Sequence, residues 1–219
     1  MSLVNDLRRT IGADLDAMAR VKGGNHPRLI ARIDVLAIPG TWATLLFRLA
    51  AACHQVIPLR PVSRVLYFLN VVLTGADLAP GAKVGPGLVI AHPVGMGWGK
   101  NFTCGRDVIM TGMARFGTAA EEDGSRAGEP TVGNEVVLLD GAKAMGPITI
   151  GDRAVVAANA LVLHDVAPDA LVVGQPARYV KSRAERRGGT ATLASAISLL
   201  ASADETPHAD RSAPPRATA

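Results

Sequence analysis

One histidine of this 219-residue chain sits among residues that do no chemistry of their own. The stretch LVIAHPVGMGWG at 88–99 is aliphatic and glycine-rich, a composition that packs and turns, yet His92 stands in its middle with Ala91 before it. Imidazole titrates close to neutrality, so it can take a proton from a substrate and return it at physiological pH. The other four histidines offer less. His26 and His54 fall in segments of helical spacing, His208 lies in the tail, and His164 is expected at a turn. A three-histidine metal site needs three imidazoles gathered together. Only His92 and His164 lie in the central part of the chain, so no metal is expected. Cys53 and Cys104 are too few and too far apart for a zinc site or a disulfide framework.

The element that must position His92 is a repeat. Cut in sixes from Leu78, the chain reads LAPGAK, VGPGLV, IAHPVG, MGWGKN, FTCGRD, VIMTGM. The leaders are Leu78, Val84, Ile90, Met96, Phe102 and Val108, apolar every time. A polar stretch at 114–131 interrupts, and the repeat resumes with leaders Val132, Leu138, Ala144, Ile150, Val156 and Val162. Period six is neither the 3.6 of a helix nor the 2 of a sandwich strand. It predicts a parallel β-helix in which three hexapeptides make one triangular coil and each leader points inward. An ordinary β-sandwich would need alternation and hairpin turns that this segment lacks.

The flanks differ from the centre. Residues 1–70 show apolar spacing of three and four, broken by Pro27, Pro39, Pro58 and Pro61 into short helices. The expected division is a helical region at 1–70, a β-helix at 71–180 with a loop at 114–131, and a mostly disordered tail at 181–219. Within that tail ATLASAISLLASA could form a transient amphipathic helix. Apolar residues make up 48% but aromatics only 4%, so the core is expected from Val, Ile, Leu and Ala. Much of the +4 net charge falls in the tail and no stacking aromatics accompany it, which argues against a nucleic-acid partner. The longest apolar run, VLYFLNVVL at 65–73, is too short to span a bilayer, and no signal segment opens the sequence, so a cytoplasmic protein is expected.

Three ordered segments carry a resemblance. TGADLAPGAKVGPGLVIAH, LDGAKAMGPITIGDRAVVAANALVL and VVGQPARYV, with the helical approach IPGTWATLLFRLA, are similar to serine O-acetyltransferases of the hexapeptide-repeat acyltransferase superfamily. The similarity runs from about Ile33 to Lys181. It implies a left-handed β-helix, an exception to the usual crossover handedness. It also implies a homotrimer with acetyl-CoA lying between neighbouring β-helices. The N-terminal helical part is shorter than in the family members that pair trimers into hexamers, so a plain trimer is expected.

The resemblance assigns His92 as general base and matches Asp77 to the carboxylate that orients it. Acetyl transfer from a thioester to an alcohol requires the hydroxyl proton to leave as the oxygen attacks, and a carboxylate supports the imidazolium that forms. Asp77 and His92 are fifteen residues apart, three short of an 18-residue coil, which places them on adjacent coils near one corner. The CoA groove is expected to involve Gly117 and Thr118 of FGTA, with the small Ala158. Asp140 stands where the family carries a small residue. Lys143, Arg153, Arg178 and Lys181 could meet the CoA phosphates or serve as solvated surface charge.

The acceptor side departs from the family. The aspartate that precedes the catalytic histidine is Ala91 here, and the Arg-His pair before a proline is replaced by Gly128 and Glu129. A further acidic residue is replaced by His26. A free amino acid needs a cation for its carboxylate and an anion for its ammonium, and a charge mismatch in a desolvated pocket costs several kcal/mol. The expectation is therefore an acetyl-CoA-dependent O-acetyltransferase whose acceptor is a hydroxyl-bearing small molecule or sugar other than free L-serine. Two alternatives stand beside it, a serine O-acetyltransferase of cysteine biosynthesis and a non-catalytic trimeric scaffold.

Overall fold

The computed structural model describes residues 3–22, 34–120 and 127–182. His26, Pro27 and the ATLASAISLLASA segment lie outside them. Helix α1 spans Leu3–Lys22, α2 Pro39–Gln55 and α3 Arg60–Thr74, with a 3-10 turn at Ile57–Leu59 before α3. The described prolines start these elements instead of breaking them. Pro39 and Pro61 occupy first turns, where the missing N–H has no partner to lose.

From Asp77 onward the chain winds through three parallel faces. The first stacks Asp77–Leu78, Gly97–Trp98, Arg115–Gly117, Lys143–Met145 and Leu161–Val162. The second stacks Lys83–Val84, Thr103–Cys104, Thr131–Val132 and Thr149–Ile150. The third stacks Val89–Ile90, Ile109–Met110, Val137–Leu138, Val155–Val156 and Ala170–Val173. An antiparallel strand, Arg178–Ser182, closes the third face. Arg115–Gly117, expected in a loop, is thus a strand of the first face. The excursion that follows is an antiparallel hairpin pairing Ala119 with Gly128.

The inward residues include Leu78, Ile90, Trp98, Met110, Leu138, Ile150 and Val162, each nearly or wholly buried. Burying one such aliphatic side chain contributes about 1.5–3 kcal/mol. The predicted leaders hold from Leu78 to Ile90 and again from Val132, but between these blocks the phase is wrong by two residues. Asp77 pairs with Gly97, twenty residues on, whereas Gly97 pairs with Arg115, eighteen on. The inward strand residues there are Trp98, Cys104, Met110 and Phe116, not Met96, Phe102 and Val108. The core also holds more aromatic surface than expected. Phe47, Trp98, Phe102 and Phe116 form one continuous chain of ring contacts, edge-on, stacked and tilted in turn, with centroids 4.5–5.3 Å apart.

On the third face the outward residues are buried too. Val89, Ile109, Val137, Val155 and Leu171 form a second cluster with Ala17 and Met18 of α1 and with Val35. The helices are fixed to the first coil by a buried ion pair. Arg48 of α2 donates Nε to Asp14 Oδ2 at 2.8 Å, and its guanidinium also donates to the Val84 and Gly85 carbonyls. Asp14 Oδ1 accepts the N–H groups of Gly87 and Leu88 at 2.8 and 2.9 Å. Burial pushes the Asp14 carboxyl up, and Arg48 with these two N–H groups pulls it back. Gly40, in the first turn of α2, packs so closely on the Ile90 carbonyl that any Cβ would collide with it. That contact sits two residues before His92.

Candidate active site

Four corners carry the chain from the third face to the first. The residue entering each donates its N–H to the next coil: Ala91 to Met110, Thr111 to Leu138, Leu139 to Val156 and Ala157 to Val172. The residue leaving each has positive φ: Gly95, Met113, Gly141 and Asn159. The last three donate back to the preceding coil, Met113 to Val94, Gly141 to Gly112 and Asn159 to Asp140. In three corners a single residue lies between entry and exit, namely Gly112, Asp140 or Ala158. In the first corner three lie there, His92, Pro93 and Val94. Val94 holds the bonding place of Gly112 and Asp140, so His92 and Pro93 are the surplus that lengthens this coil to twenty residues. His92 is exposed and Pro93 is buried.

The same corner brings Asp140 and Ala158 into one column with His92. A Cβ on Gly112 would lie 3.2 Å from His92 Cβ and 3.1 Å from Asp140 Oδ1. Asp140 accepts the Gly112 N–H at 2.5 Å, so its carboxylate has a structural partner that the sequence did not reveal.

Asp77 opens the first face directly after α3. The helix ends at Gly75, whose φ of 72° turns the chain into the strand, and Gly95 donates to the Gly75 carbonyl. Asp77 donates its N–H to Met96, at the end of the corner that bears His92. No hydrogen bond joins Asp77 to His92. The carboxylate is held instead by Tyr67 of α3, which donates Oη to Asp77 Oδ1 at 2.5 Å. That bond, with burial, pushes the Tyr67 phenol up to about 12. Asn70 and Thr74, on the same side of α3, bond to the Ala43 carbonyl and to one another and steady the helix end.

The outward positions of the first face run Asp77, Gly97, Arg115, Lys143 and Leu161. Arg115 and Lys143 are exposed cations on the face that Asp77 opens. Arg115 lies in the polar stretch 114–131, whose composition predicts a loop, so nothing local marks it as a strand residue. At the far edge of this face Gly117 lies under Met145, whose methyl group would meet any Cβ there, and Thr118 follows it. Glu129 returns from the hairpin onto Gly99, and its Oε2 is buried with no hydrogen-bond partner. Arg153 is bound on both branches by Asp169 at 2.8 and 2.7 Å, away from this face. Arg178 is exposed on the closing hairpin, and the side chain of Lys181 lies outside the described residues. His164 is exposed at a bend, and no metal-binding cluster occurs among the described residues.

No family model matches the chain. Curated relatives do. The serine acetyltransferase of Helicobacter pylori is 37% identical over 146 residues, covering 67% of this chain and 84% of that protein. The chain belongs to the serine acetyltransferase family. Among solved structures, the Neisseria gonorrhoeae serine acetyltransferase superposes with a TM-score of 0.71 at 25% identity, covering 81% of this chain and 67% of the other. The soybean serine acetyltransferase complexed with serine gives 0.66 at 27% identity, with 78% and 70% covered. The coil stack is the left-handed β-helix of serine acetyltransferases, and the family is one of acyltransferases. No helix among the described residues is long and apolar enough to cross a membrane.

Proposed function

We propose that the chain is an acetyl-CoA-dependent O-acetyltransferase with L-serine as acceptor. The observation that carries this reading is the likeness to serine acetyltransferases, which spans most of the Helicobacter pylori protein. It moves the weight from the non-serine acceptor expected in the sequence to the serine alternative. His92 takes the serine hydroxyl proton as the oxygen attacks the thioester carbonyl. The new C–O bond forms, the C–S bond breaks, and the departing thiolate recovers the proton from the imidazolium. Asp77, at the head of the adjoining face and bonded to Tyr67 in this structure, orients the imidazole once a side-chain rotation brings the two together. The column of Gly112, Asp140 and Ala158, with Gly117, Thr118 and Lys143 on the first face, is the surface on which CoA lies.

The chain acts as a homotrimer in this reading. Exposed apolar side chains on α3 (Val65, Phe68, Val72 and Leu73) continue into Val94 and Met113 beside His92. A contiguous apolar surface of this extent suits burial against a second copy. Helices and β-helix then divide between Thr74 and Asp77, a few residues beyond the expected bound at 70, the closing strand runs to Ser182, past the expected bound at 180, and the trimer works in the cytoplasm.

A second reading, another small hydroxyl acceptor, is favoured by Ala91, which offers no carboxylate for an ammonium group. Release of CoA thiol from acetyl-CoA separates the two, with L-serine set beside a panel of sugars and amino alcohols. Serine-dependent release that disappears in His92→Ala supports the first. Release only with another alcohol supports the second.

A further inference from the structure

Gly97 and Gly99 flank Trp98, whose ring fills the coil interior, so in the alternation of a strand both glycines turn outward. Neither position is left bare. The Arg115 guanidinium lies over Gly97, its Nη1 3.1 Å from where a Cβ would stand. The Glu129 carboxylate rests on Gly99, where a Cβ would strike it. Two residues of extended chain separate these points by about 6–7 Å. The two charges do not pair, and among the described residues neither Arg115 nor Glu129 belongs to an ion pair. Glu129 Oε2 is buried and unbonded, a state that costs free energy unless a donor arrives. Asp77 pairs with Gly97 on the neighbouring coil, and the corner that carries His92 leads into Gly97.

We propose that Arg115 and Glu129 form a clamp for the two charged groups of a zwitterionic β-hydroxy amino acid on the Gly97–Gly99 floor. Arg115 receives the carboxylate in two parallel hydrogen bonds, as a guanidinium suits, and Glu129 receives the ammonium. The two groups stand over neighbouring outward positions of one strand, a spacing within reach of a ligand whose ammonium and carboxylate are one carbon apart. Absence of side chains at 97 and 99 lets the ligand backbone lie against the strand. The clamp explains how Ala91 is compatible with an amino-acid acceptor. It rests on the reading of the chain as a serine acetyltransferase.

The test compares wild type, Arg115→Gln and Glu129→Gln with three acceptors: L-serine, L-serinamide, which lacks the carboxylate, and 3-hydroxypropionate, which lacks the ammonium. Calorimetric binding of L-serine to each protein runs beside the kinetics. Glu129→Gln is expected to raise KM for L-serine about 10–100-fold and leave that for 3-hydroxypropionate unchanged. Arg115→Gln is expected to do the same for L-serine and leave L-serinamide unchanged. KM for acetyl-CoA stays constant in both. Serine turnover with unchanged KM in both variants, or equal losses on all three acceptors, would overturn the clamp and leave the functional reading standing. Serine that binds wild type but not the variants, without turnover, would keep the clamp and overturn the reading. No binding and no turnover would overturn both.

Discussion

The first corner between the third and first faces and the three corners stacked beyond it do the same job with different lengths. Gly112, Asp140 and Ala158 each bridge the turn alone, whereas His92 and Pro93 are added to Val94 in the first. The later corners show what the fold needs, one residue and a left-handed exit. Whatever exceeds that need is free of the fold and available to chemistry. The buried Asp14–Arg48 pair lies at the opposite extreme, where every polar atom is committed to holding helices on the first coil.

Substitutions at these two regions should therefore separate activity from stability. His92→Ala is expected to lower kcat about 10²–10⁴-fold while leaving the urea midpoint unchanged, because the ring is exposed. A large drop in the midpoint would show that the surplus residues also support the coil. Arg48→Ala should do the reverse, costing about 3–5 kcal/mol by leaving Asp14 buried and unpaired, as read by equilibrium unfolding. Asp140→Ala, in a regular corner, removes one side-chain bond to the Gly112 N–H and should cost about 0.5–1.5 kcal/mol.

The smallest effect is on pH dependence. The Tyr67 phenol is held up at about 12 by Asp77, above the ordinary value of a free phenol. A raised folded value means stability fully present below the unfolded value near pH 10 and lost as pH rises through about 12. Unfolding measured from pH 9 to 12 should show this loss in wild type and not in Tyr67→Phe. Equal slopes in the two would mean that the bond to Asp77 does not form in solution.

The β-helix is legible because six-residue spacing has no other common source, and the hexapeptide leaders from Val132 onward coincide with the inward strand residues. The slip between Met96 and Val108 has a physical cause. Each coil buries two apolar columns two residues apart, as Met96 and Trp98 or Val136 and Leu138 do, so a pattern of apolar leaders survives a shift of two. The slip begins at His92–Pro93, where two residues were added. Pairs such as Arg48 with Asp14, or Tyr67 with Asp77, come together only when helices dock on the first coil, and no local spacing announces them. Arg115 was hidden by the polar stretch read as a loop. Doubly apolar strands such as Val89–Ile90 and Val137–Leu138 did carry a signal, since a strand buried on both sides must be covered.

The antiparallel strand Arg178–Ser182 bears on solubility. A stack of parallel coils is a fibre in miniature, and its last strand would template another chain. Turning back on Ala170–Val173 in the opposite direction ends that repeat with a strand that the parallel ladder cannot continue. The hairpin keeps a self-similar spiral from growing end to end.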